Sequence, residues 1–157
     1  MQTSDLDGLY KIFSDPKVMD AFNHAPFTIQ QMEGWMARNL SHQDEFGYGL
    51  FSVILKSENL LIGDCGLEHT EVDGQQKTEL GYDFRSDYWN KGYATEAACA
   101  VQDFAFNTLK LPELISLVRV GNLASKRVAE KAGMHLDKEI DRYHTKYWLF
   151  SIHNREW

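Results

Sequence analysis

Asp87 to Thr95, reading Asp-Tyr-Trp-Asn-Lys-Gly-Tyr-Ala-Thr, joins an apparent strand, Glu79 to Phe84, to a run with helical periodicity. A turn that opens a helix is suited to hold an anion. The first helical N–H groups have no partner inside the helix, and the macrodipole adds partial positive charge at that end. Asn90, Lys91, Gly92, Tyr93, Ala94 and Thr95 are therefore candidates for a phosphate cradle, with Gly92 allowing close approach of ligand and backbone. The same residues also have a purely structural reading, in which Gly92 relieves a tight strand-to-helix turn and Lys91 is a solvated charge. A P-loop is excluded because no Gly-Lys-Ser/Thr ending follows, and the turn is too sparse in glycine for the dinucleotide fingerprint.

Lys91-Gly-Tyr-Ala-Thr-Glu-Ala97 is followed by Asn122-Leu-Ala-Ser125 and by Glu130-Lys-Ala-Gly-Met134. From about Leu6 to the C-terminus this combination resembles the GNAT superfamily of acetyl-CoA-dependent N-acetyltransferases, and within it the branch of ribosomal-protein N-terminal acetyltransferases. The family's pyrophosphate motif runs Gln or Arg, two residues, Gly, one residue, then Gly or Ala; Gly92 and Ala94 fill the last two fixed positions. Trp89 stands where Gln or Arg is expected, which keeps the backbone cradle and removes one polar contact.

The resemblance implies a mixed α/β fold with a mostly antiparallel central sheet, splayed between two central strands and flanked by helices. It also implies acetyl-CoA as co-substrate, with the pantetheine arm paired to backbone of the earlier splayed strand at Asp83-Phe84-Arg85 and its pyrophosphate on Asn90 to Thr95. Asn122 then bonds the arm and Ser125 returns a proton to the leaving thiolate, with Tyr88, Tyr93 and Tyr143 as rivals for Ser125. Asn122 also has a local reading as the N-cap of the following helix. An ammonium has no lone pair, so the acceptor amine must lose a proton before it attacks a thioester. Glu79 is the first choice for that base by position in the family, with Asp83 and Glu68 behind it. Lys131 is assigned to the adenosine 3′-phosphate or, more simply, to solvent. Phe22, His24, Phe27 and Trp35 fall in the segment that walls the family's acceptor site.

Several elements must position these residues. Asp5 to Phe13 reads as a helix capped by Ser4, and Asp15-Pro16 begins a short second one. Thr28 and Gln31 have capping-box spacing ahead of Ile29, Met32, Met36 and Leu40 at helical intervals. Leu50 to Lys56 and Leu60 to Glu68 read as a hairpin, and Asp73-Gly74 marks a further turn before Glu79 to Phe84. Ala94, Ala97, Ala98, Val101, Phe104, Ala105 and Thr108 predict one face of a helix that stops before Pro112. Ile115 to Val120 alternates as a strand, Asn122 to Ala132 reads as a helix closed by Gly133, and Arg142 to His153 supplies the last strands. Family members usually begin with a strand ahead of the first helix. Here Thr3-Ser-Asp-Leu6 leads straight into the helix, so that strand is expected to be absent or trimmed, and the exposed edge favours a homodimer.

At 157 residues the chain has the length of one domain, here a single acetyltransferase domain over 1–157, with 43% hydrophobic and 25% charged residues. No apolar run approaches the roughly 20 residues that span a membrane, and no signal peptide is visible, so a cytoplasmic location is expected. Cys65 and Cys99 have neither metal-ligand nor disulfide-framework spacing, so buried thiols and no metal are expected. A net charge of −7 argues against nucleic acid and favours a cationic small-molecule or peptide amine as acceptor. The expected chemistry is direct attack in a ternary complex, since no cysteine is embedded to form an acyl-enzyme. The rival is a non-catalytic acetyl-CoA-binding or regulatory module, which keeps the cradle and lacks base and acid.

Overall fold

Three helical signals near the N-terminus become three helices, α1 (Leu6–Phe13), α2 (Pro16–Asp20) and α3 (Ile29–Phe46), in a computed structural model that describes residues 1–142 and 144–156. The Asp15 side chain caps α2 by accepting from the Lys17 N–H, with Pro16 in the first turn. Thr28 and Gln31 form the reciprocal box that opens α3, and Gly47 ends it at φ 73°. Ser4 does not cap: a 3₁₀ turn over Thr3–Asp5 precedes α1, and Ser4 lies inside it. Leu9, Ile12 and Phe13 of α1 are buried with Val18, Met19, Met32 and Met36, each contributing about 1.5–3 kcal/mol by leaving water.

The six strands are β1 (Leu50–Leu55), β2 (Leu60–Val72), β3 (Gln75–Phe84), β4 (Glu113–Arg119), β5 (His135–Arg142) and β6 (Thr145–His153). Their order in the sheet is β1-β2-β3-β4-β6-β5, mostly antiparallel and flanked by helices. β2 and β3 are each about four residues longer than their apolar runs. Asp73 (φ 51°) and Gly74 (φ 74°) make the two-residue turn between them, and the added residues find partners from β5: Arg142 donates to Thr70, and Lys138 pairs with Asp73 at 2.6 Å. β5 itself carried no apolar signal. It is an edge strand, largely exposed and charged at Asp137, Lys138, Glu139 and Asp141, a composition that discourages edge-to-edge association.

Two more helices follow the turn at Gly92, α4 (Tyr93–Asp103) and α5 (Leu123–Lys131). The predicted face of α4 holds through Ala98, Val101 and Ala105 and then fails. Residues Phe104–Thr108 form a π-turn, which shifts the period so that Phe106 is buried while Thr108 is exposed. Cys65 is buried as expected, but Cys99 is only half-buried. Among the described residues no strand precedes α1, and no helix is long and apolar enough to cross a membrane. By contacts the chain divides into two units, Met1–Gly66 with Tyr82–Ala94, and Leu67–Gly81 with Thr95–Trp157. Each holds a different part of the expected machinery.

Candidate active site

In the first unit β3 ends at Phe84 and a short 3₁₀ turn, Ser86–Tyr88, leads to the glycine turn. Asn90 sits at φ 61° and Gly92 at φ 88°, a left-handed conformation that glycine adopts without cost. A Cβ built on Gly92 meets nothing within 4 Å, so open space lies directly over the backbone that opens α4. Two cations of this segment lie against one ring. The Lys91 ammonium lies 4.6 Å from the centroid of the Tyr88 ring and the Arg85 guanidinium 5.3 Å from the same centroid. Arg85 also grips Asp87 through two hydrogen bonds, of 3.1 and 2.7 Å, which hold the Asp87 carboxyl below its ordinary range.

Trp89, the departure from the family motif, has a structural role. Its indole N–H donates to the Phe84 carbonyl at 2.8 Å and ties the turn to the end of β3. The Arg85 N–H donates to the Ile62 carbonyl at 2.9 Å, so two backbone groups assigned to an incoming arm are engaged within the chain. Gly63 makes room here: a Cβ on it would fall 2.5 Å from the Asp83 carbonyl oxygen and 2.6 Å from the Phe84 ring. Tyr88, a rival proton donor, donates its O–H to Glu58 at 2.7 Å, which pushes the phenol pKa up. Tyr93 is half-buried with its ring 6.2 Å from that of Tyr88, and Tyr143 lies outside the described residues.

Of the four acceptor-wall candidates, Phe27 and Trp35 pack on the Phe13 ring, with centroids 5.5 and 4.8 Å away, as core residues do. His24 meets the Phe27 edge at 5.4 Å and is exposed, and Phe22 is 47% exposed.

In the second unit β3 and β4 run parallel with Glu79 opposite Ile115. Two residues further along β4, the Leu117 N–H donates to Glu79 Oε1 at 3.4 Å, a long bond to a side chain where a ladder would use backbone. β4 is meanwhile paired with β6 along its whole length, from Glu113 opposite His153 to Arg119 opposite Tyr147. Glu79 is half-buried, and its pKa is pushed up to about 7, first by burial and then by Glu68; the Leu117 N–H and the Arg142 guanidinium pull it back. A carboxyl poised there can take a proton near neutral pH.

At the start of α5 the local reading of Asn122 holds: its Oδ1 accepts from the Ser125 N–H at 3.1 Å, an N-cap. Ser125 is half-buried and Lys131 is exposed. Sequence reasoning passed over Arg142 and Thr70 near Glu79, since nothing local couples residues 72 apart. It also missed the Trp89 bond, for which the motif departure was the only signal.

A mixed sheet that feeds a glycine turn at a helix start is the architecture the resemblance implied for an acyl-group transferase. The chain belongs to the GNAT acetyltransferase family, because residues 1–135 match the model described as an acetyltransferase (GNAT) domain. An N-acetyltransferase of Bacillus subtilis, YnaD, whose name marks it as uncharacterized, is 30% identical over 98% of this chain and 90% of its own. The solved GNAT-family acetyltransferase of Bacillus anthracis is 27% identical, with a TM-score of 0.82 over 99% of this chain and 92% of that one. Two further structures share the fold. The ribosomal-protein-S5-alanine acetyltransferase of Vibrio fischeri has a TM-score of 0.80 at 21% identity, covering 100% of this chain and 92% of that chain. The spermidine N-acetyltransferase of Vibrio cholerae, solved with CoA and spermine, has a TM-score of 0.77 at 17% identity, covering 99% and 93%. The chain is accordingly a GNAT-family N-acetyltransferase.

Proposed function

We propose that the chain, acting as one acetyltransferase domain, transfers the acetyl group of acetyl-CoA to a primary amine by direct attack in a ternary complex. The observation that carries this reading is the turn at Asn90–Thr95, where a left-handed Gly92 leaves open space over a helix start, with Lys91 and Arg85 against the ring of Tyr88 in the same segment. Those features fit a pyrophosphate. Backbone N–H groups from Lys91 to Thr95 hold it, and Lys91 and Arg85 supply charge. Asp83, Phe84 and Arg85 flank the arm, and Asn122, whose Oδ1 caps α5, bonds it through the rest of its amide capacity. Acetyl-CoA supplies the thioester. Glu79 takes the proton from the ammonium of the acceptor, and Ser125 gives one to the departing thiolate.

Ser125→Ala is expected to lower turnover at least about tenfold, below the usual general-acid range because water substitutes in part, with KM for acetyl-CoA unchanged. Near-normal turnover in thiol-release assays would move the proton to Tyr93 or to water.

The acceptor on this reading is cationic, either a protein N-terminus or a small polyamine-like molecule, supported by the net charge of −7. The Tyr88-Trp89-x-x-Gly92-Tyr93-Ala94 variant supports the ribosomal-protein branch and hence a peptide N-terminus, with Phe22 and His24 as the exposed acceptor-side residues. Acetyl-CoA consumption should therefore be compared for Ala- and Ser-initiated peptides and for spermidine, at low and high salt. A cationic acceptor should react fastest, with a second-order rate that falls as salt rises. Reaction only with neutral or anionic acceptors, insensitive to salt, would overturn the acceptor class. Coenzyme A binding without thiol release from any amine would make the chain a binding module.

A further inference from the structure

Two side chains, Glu68 of β2 and Arg142 of β5, and the Leu117 N–H of β4 act on the Glu79 carboxyl. Glu68 on β2 places its Oε2 4.0 Å from the point where a Cβ on Gly81 would stand. Gly81 is two residues beyond Glu79 on β3, so strand alternation puts both on one face, and the missing side chain leaves Glu68 room there. Arg142, the last residue of β5, donates from Nη1 to the Thr70 hydroxyl at 2.7 Å; Thr70 is itself buried, two residues beyond Glu68 on β2. Two like charges so close in a half-dry site repel, and only one ionises easily. A cation fixed beside them decides which protonation state holds at neutral pH.

We propose that Arg142, anchored by Thr70, is a positioning residue that holds Glu68 and Glu79 as one carboxylate pair able to accept a single proton from the acceptor ammonium. The ammonium N–H bond breaks, the proton passes to a carboxylate oxygen of the pair, and the nitrogen lone pair is released for attack. Arg142 is assigned no contact with either substrate. It acts through the carboxylates, whose charged form it favours against burial and mutual repulsion, while the Leu117 N–H does the same from β4. The proposal rests on the reading of Glu79 as the base, but its test does not.

The test is a ¹³C titration of glutamate-labelled protein, with Glu79→Gln identifying the Glu79 resonance. Wild type should show that carboxyl titrating near 7. Arg142→Met should raise its midpoint by about one pH unit, Thr70→Val by less, and Arg142→Lys should restore most of the shift, while Glu68→Gln should lower it. Arg142 also borders an open cavity of about 460 Å³ with Ile140 and Asp141, so millimolar guanidinium should partly reverse the effect in Arg142→Ala. Should Arg142→Met unfold, the Thr70→Val and Arg142→Lys arms stand alone. A Glu79 midpoint unmoved in Arg142→Met and in Thr70→Val overturns the proposal, even if Glu79→Gln abolishes turnover. If the midpoints move as stated and Glu79→Gln keeps full turnover, the pair stands and the base assignment fails.

Discussion

Gly92→Val should lower coenzyme A affinity about a hundredfold or more while leaving a folded protein. Gly92 holds φ 88°, a conformation that costs a β-branched residue about 1–3 kcal/mol, so valine drives the turn to a different backbone path. The N–H groups that open α4 then no longer converge on one point. Each charge-assisted hydrogen bond lost to a phosphate is worth about 1.5–3 kcal/mol, so one or two such losses suffice. No atom lies within 4 Å of the new Cβ, so the core is undisturbed and the melting temperature should drop by only a few degrees. Gly92→Ala should be intermediate. Calorimetry decides: unchanged affinity in the valine variant would remove the cradle from this turn.

Glu79→Gln should lower turnover by about 10²–10⁴-fold and, at the same time, stabilise the protein in alkaline solution. The carboxyl titrates at about 7 in the folded chain against 4.5 when unperturbed. Between those values the folded state holds the extra proton, so wild-type stability is greatest below 4.5 with respect to this group and falls as pH rises through 7. Glutamine cannot ionise and escapes that loss. The variant should match wild type near pH 4 and exceed it at pH 8 by at most on the order of 3 kcal/mol. The acidic limb of the wild-type rate profile should have its midpoint near 7 and disappear in the variant. Melting curves at pH 4, 6 and 8 check the first effect, and a variant whose stability follows wild type across that range would show Glu79 to be an ordinary surface carboxylate.

Local chemistry made most of the fold legible. Asp15-Pro16, the Thr28/Gln31 box and Gly133 marked helix ends, and the apolar run of β1 and the alternation of β4 marked strands. What escaped depends on distant partners. β5 is polar because it is an edge, Thr70 in the extension of β2 and Asp73 in the turn after it meet Arg142 and Lys138 of β5, and Phe106 is buried because one turn of α4 is wound too wide. At the site, the glycine turn was visible because backbone conformation is written in Gly and Asn. Glu79 was reached through family resemblance, and nothing along β3 distinguishes its carboxyl from that of Asp83. The raised pKa comes from burial and from Glu68, held back by the Leu117 N–H and Arg142, and no spacing rule reveals these.

Gly63 is intolerant of change for a reason opposite to that of Gly92. A methyl group there would overlap the Asp83 carbonyl and the Phe84 ring, so every replacement must push β2 and β3 apart. The two glycines are therefore constrained in different ways, Gly92 by its backbone conformation and Gly63 by packing. If the turn at Gly92 is the cradle proposed above, a lineage that abandoned catalysis would be free to lose Gly92 and would still be forced to keep Gly63. Among descendants of this sequence, the fate of that one pair of codons separates proteins that have given up the reaction from those that still perform it.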